Sequence, residues 1–92
     1  MIKNKIELFR GGQRVALLTW HKKAEDGSTI PIAMEFSEDL DEESRQRVIG
    51  VCERPANARE GGQLVKCFPG SSKHFTAIPP VLERLGYRVH CF

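Results

Sequence analysis

Lys5-Ile6-Glu7-Leu8-Phe9-Arg10-Gly11-Gly12-Gln13-Arg14-Val15-Ala16-Leu17-Leu18-Thr19-Trp20 decides the fold class. Ile6 and Leu8 alternate with Lys5 and Glu7, the period of a strand with one buried face. Gly11-Gly12 follows at once. Two glycines accept positive φ without steric cost, which is what a primed hairpin turn requires. Beyond the turn, Val15 to Trp20 is apolar on both faces, as expected of a strand central in a sheet or covered on both sides. Working outward, Asp26-Gly27 marks a second turn. Ile30, Ile32, Met34 and Phe36 then alternate with Pro31, Ala33 and Glu35. Pro31 cannot donate to a ladder, so this third strand belongs at an edge or starts near that proline.

After Phe36 the period changes. Ser37 and Asp39 are N-cap residue types, and Asp39 with Glu42 has capping-box spacing. Leu40, Ser44, Val48, Ile49 and Cys52 form a helical stripe. Asp41–Arg45 and Glu43–Arg47 are i,i+4 pairs in the favourable order. Pro55 stops this helix near Glu53. Residues 54–62 read as a polar loop, Gln63 to Phe68 as a short strand, and Pro69-Gly70-Ser71-Ser72 as a break. Pro79-Pro80 suits the first turn of a second helix, Gly86 its C′ position, and Tyr87 to Phe92 a last strand. The expected order is β-β-β-α-β-α-β over residues 1–92: one α+β domain, with a mainly antiparallel sheet of four or five strands and two helices on one face. The closing strand–helix–strand also allows a right-handed parallel crossover.

The 92 residues are too few for two independent cores. With 40 % apolar and 28 % charged residues, the composition is globular, not collagen-like, disordered or coiled-coil. Three widely spaced cysteines, Cys52, Cys67 and Cys91, are a poor disulfide framework. They fit buried thiols in a reducing cytoplasm. No apolar run approaches the roughly 18 residues of a membrane span. Glu7, Arg10 and Arg14 interrupt the place where a signal peptide would be apolar. The net charge of +2 hides a segregated pattern. Residues 1–23 balance to +5, residues 24–43 to −8 and residues 44–92 to +5. Acidic residues crowd the start of the first helix, where the dipole favours them.

Metal spacing is absent: there is no Cys-x-x-Cys, His-x3-His or His-Glu-x-x-His, so neither a metal nor another cofactor is expected. Cys67 and Cys91 share a strand face with Val65 and Val89, the pattern of small core hydrophobes. Pro69-Gly70-Ser71-Ser72-Lys73-His74 is richer. A turn of this kind can present backbone N–H groups to an anion, and Ser71, Ser72 and Lys73 would be the contacts. As plain structure it is a solvated loop with Ser72 capping a helix. In a nuclease, His74 would act as general base beside Lys73. Over these few residues the segment is similar to the Gly-Ser-His stretch of small toxin endoribonucleases with a double-stranded-RNA-binding-like fold. The order of elements differs, and the chain is not assigned to that family.

Basic residues supply the other binding signal. Arg10, Arg14, Lys22 and Lys23 flank the first two strands, and Arg54 and Arg59 lie in the mid-chain loop with Asn57. Trp20 beside Lys22 and Lys23 pairs an aromatic with charge, as single-strand binders do. The plainer account makes Trp20 core and the lysines a guarded edge. The sequence thus points to a small, non-enzymatic binding or regulatory domain with a macromolecular partner. Nucleic acid, through these basic groups, is favoured. A protein surface, whether a target to inhibit or a second copy in a homodimer, is the alternative, and a minimal endoribonuclease the third reading.

Overall fold

The computed structural model describes residues 4–20 and 32–92. Lys22, Lys23, the Asp26-Gly27 turn and Pro31 lie outside the described residues. The element order is β1 (Lys5–Arg10), β2 (Gln13–Thr19), β3 (Ala33–Phe36), α1 (Glu42–Glu53), β4 (Ala56–Glu60), β5 (Gln63–Cys67), α2 (Ser72–Arg84) and β6 (Arg88–Cys91). Four strands form an antiparallel sheet in the order β3-β2-β1-β6, and β4-β5 is a separate antiparallel hairpin. Both helices pack on one face of the larger sheet, so the α+β expectation holds.

The Gly11-Gly12 turn is as expected, with φ of 60° and 80°. Leu8 pairs with Ala16 but Phe9 with Arg14, which leaves Val15 as a bulge. The bulge turns Val15 inward beside Ala16, and both are buried. That explains why this stretch reads as apolar on both faces. β2 is a central strand and β3 an edge.

Several local expectations are corrected. Residues 54–62 are not a loop, because β4 occupies 56–60 and Gly61-Gly62, with φ of 55° and 83°, makes a second primed hairpin. Ala, Asn and Glu are poor strand formers, which hid the strand. β6 runs antiparallel to β1 and β5 lies in the other sheet, so no parallel crossover forms. Asp41, not Ser37 or Asp39, caps α1: its carboxylate accepts from Ser44 N at 3.1 Å and Ser44 Oγ at 2.7 Å. These bonds hold its pKa below the usual value. Arg45 turns away from Asp41 and donates to the Ser37 carbonyl at 2.9 Å, whereas the Glu43–Arg47 pair forms at 2.7 Å.

The second helix starts seven residues before its prolines. Ser71, not Ser72, is the N-cap, accepting from His74 N at 3.1 Å and donating from Oγ to the Phe68 carbonyl at 2.8 Å. Pro79 and Pro80 therefore sit inside the helix and bring no backbone N–H to its hydrogen-bond ladder. Capping and burial on both sides of the prolines offset that loss. Ala77, Ile78 and Leu82 are buried. At the C-terminus Gly86 N bonds Glu83 O at 3.0 Å and Tyr87 N bonds Leu82 O at 3.4 Å. This is the Schellman pattern, with Gly86 at φ 97° as C′. Ser71→Ala should lower stability by about 1 kcal/mol in urea unfolding; an unchanged midpoint would remove the cap from this account.

The core joins Ile6, Leu8, Val15, Ala16, Leu18 and Trp20 of the first hairpin to Leu40, Val48, Cys52, Ile78, Leu82 and Tyr87. Cys67 is buried and Cys91 half-buried, so the cysteines pack as small hydrophobes. Burial pushes the Cys52 thiol up to about 12. Cys52 should resist iodoacetamide at pH 8 in the native protein and react only with denaturant present, as peptide mass mapping would register.

Candidate functional site

His74 is completely buried. Trp20 Nε1 donates to its Nδ1 at 3.1 Å, and its Nε2 lies 2.9 Å from the Arg54 carbonyl oxygen. Indole N–H can only donate, so Nδ1 carries no proton and Nε2–H donates to the carbonyl. The imidazole is thereby neutral with a defined tautomer, and burial lowers its pKa. The Trp20 ring is 4 % exposed and tilted against the imidazole, with centroids 5.9 Å apart. Phe75 meets the indole edge-on at 5.4 Å. Trp20 and His74 thus form a closed polar pair that ties β2 to α2 and α2 to the end of α1. A general base must reach a substrate proton, and here both ring nitrogens hold protein atoms. Lys73 points elsewhere, with Nζ 3.3 Å from Glu60 on the β4–β5 hairpin.

The remaining residues of the expected basic site are divided among surfaces. Arg10 lies over the Tyr87 ring, 4.6 Å from its centroid, with Nη1 3.5 Å from Ser44 Oγ. Arg14, across the hairpin turn, faces the other side of the sheet and pairs with Glu7 at 3.3 Å. Strand alternation and the Val15 bulge separate these two. The Ser71 hydroxyl is engaged in the cap.

Arg54 and Arg59, by contrast, come together. With Arg84 they rim an open groove of about 710 Å³ between the end of α1, the β4–β5 hairpin and the outer side of α2. Val51, Ala58, Leu64, Pro80 and Val81 contribute apolar lining. Leu64 is 66 % exposed, so the hairpin leaves a large hydrophobe uncovered here. Among the described residues that line the groove there is no Asp or Glu, and none of the three arginines has an ion-pair partner among the described residues. The His74–Arg54 bond fixes the backbone from which one of the arginines projects.

Arg84 was not legible as part of the site. It lies in the last turn of α2, where a basic residue already has a helix-dipole explanation. Only the packing of the hairpin beside α2 brings it to Arg54 and Arg59. No protein-family model matches this chain, and neither curated proteins nor solved structures yield a match. Among the described residues no three His, Cys, Asp or Glu side chains gather as metal ligands, and no helix is long and apolar enough to cross a membrane.

Proposed function

We propose that this chain is a small nucleic-acid-binding domain and that the arginine-rimmed groove is its binding site. One observation carries the reading: three arginines without carboxylate partners among the described residues converge on one groove. Guanidinium groups recognise phosphate oxygens through paired N–H donors. The apolar lining is suited to a nucleobase, and the volume falls in the range of small-ligand sites. Binding, not catalysis, is the proposed activity, and the free cysteines suit a reducing cytoplasm.

Fluorescence anisotropy with labelled single- and double-stranded oligonucleotides, repeated across salt, tests the proposal. Affinity should fall steeply with salt, because phosphate contacts release counterions. Absence of binding even at low salt would overturn it. The reading would then pass to an acidic protein partner, for which the same groove offers both charge and apolar area.

A further inference from the structure

We infer that the β1–β6 half of the sheet face turned away from the helices is a stacking platform for the bases of single-stranded nucleic acid. The inference rests on the nucleic-acid reading above but uses a different surface. Strand alternation sends Ile6, Leu8, Val89 and Cys91 toward the helices, and Lys5, Glu7, Phe9, Arg88, His90 and Phe92 to the opposite face. The pairing confirms the rows: Phe9 lies opposite Arg88, Glu7 opposite His90, and Lys5 exchanges backbone hydrogen bonds with Phe92 at 2.8 and 2.9 Å. No described element lies over this face.

Its side chains have the chemistry of base stacking. The His90 and Phe92 rings are stacked, with centroids 5.6 Å apart and planes at 24°. Phe92 is 42 % exposed although it is a large hydrophobe. Lys5 Nζ lies 6.0 Å from the Phe92 ring centroid. At the other end, Phe9, Arg88 and His90 line a hollow of about 330 Å³. Glu7, the carboxylate of the β1–β6 half, is paired with Arg14, which leaves Lys5 and Arg88 to meet phosphate. Exposed rings flanked by cations that have no carboxylate partner among the described residues match a strand whose bases are splayed out and whose backbone is anionic. A duplex hides its base faces, so single strands are the favoured class.

The test measures binding of fluorescein-labelled oligo-dT, oligo-rU and a duplex of mixed sequence to the full chain and three variants. Phe92→Ala with His90→Ala should weaken single-strand binding about 10-fold, the usual effect of losing a stacked base. The dependence on salt should change little, because neither substitution removes a lysine or an arginine. Phe92→Leu should weaken binding as Ala does; leucine keeps the apolar bulk and lacks a π-face, so an effect of folding alone would not follow this pattern. Arg54→Gln with Arg59→Gln and Arg84→Gln separates the two surfaces. If that variant binds as the parent does while the aromatic variants fail, the groove is wrong and the sheet face stands. Full single-strand affinity in the aromatic variants, or a preference for duplex, overturns the sheet face while leaving the groove. If no oligonucleotide binds the parent, both surfaces lose their proposed ligand.

Discussion

His74→Ala is expected to destabilise the protein by about 3 kcal/mol or more, as a fall in the urea midpoint. The substitution empties a completely buried site. It leaves the Trp20 indole N–H without its acceptor and the Arg54 carbonyl without its donor. An unsatisfied buried group costs about 1 to 3 kcal/mol, and the cavity adds to it. Lys73→Ala, one residue away, should change stability by no more than about 0.5 kcal/mol, since its bridge to Glu60 is solvent-exposed. A pair serving catalysis would behave in the opposite manner: loss of activity in both variants, with stability kept. Native-like stability in His74→Ala would show that the Trp20–His74 pair does not hold the core together.

The same group sets a pH dependence. The folded-state pKa of His74 lies below its usual 6.5 because burial disfavours the imidazolium. The unfolded chain therefore takes up this proton first as pH falls. The stability contributed by neutral His74 is complete above about 6.5, the unfolded value, and is lost as the pH falls toward and through the folded pKa. Protonation would also turn Nδ1 into a donor facing the Trp20 N–H. Urea unfolding at several pH values between about 7.5 and 5 should show declining stability in the parent, and a shallower decline in His74→Ala. Parallel curves would assign the acid sensitivity to other groups.

If the proposed nucleic-acid function holds, Arg54→Gln with Arg59→Gln and Arg84→Gln is expected to remove most of the affinity for oligonucleotides and to flatten its salt dependence. Each phosphate contact on a single strand contributes about 0.7 to the slope of log affinity against log salt, so three lost contacts should reduce the slope by about 2. The three side chains are exposed and have no ion-pair partners among the described residues. Folding should therefore be nearly unaffected, which urea unfolding of the triple variant would establish. Arg10→Gln is the useful contrast. That guanidinium packs on Tyr87, and its loss should disturb stability more than binding. A triple variant with parental affinity and slope would exclude the groove as the phosphate site.

The two Gly-Gly turns show what can be decided locally. Positive φ at successive residues is a property of the dipeptide, and both hairpins turn on it. Gly61-Gly62 carried the same signal as Gly11-Gly12, but the flanking Ala-Asn-Ala lacks the branched and aromatic residues by which strands are noticed. The acidic start of α1, the Gly86 stop of α2 and the edge position of β3 were equally legible, since each follows from a dihedral restriction, a dipole or a missing donor. Pro79-Pro80 misled because the preference of proline for a first turn is local, while the cap at Ser71 and the burial of Ile78 and Leu82 carry the helix through.

The site depended on tertiary structure. Alternation within one strand predicts which neighbours share a face, and it correctly separates Ile6 and Leu8 from Lys5 and Glu7. It cannot say that a bulge at Val15 will intervene, that β6 will lie beside β1, or that a hairpin will settle against α2. Those placements bury His74 between Trp20 and Arg54, divide Arg10 from Arg14, and gather Arg54, Arg59 and Arg84 around one groove. Local residue chemistry determined the hairpins, the helix termini and the α+β class. Long-range packing alone decided which charges meet, because residues distant in the chain become neighbours only when the core they share is closed.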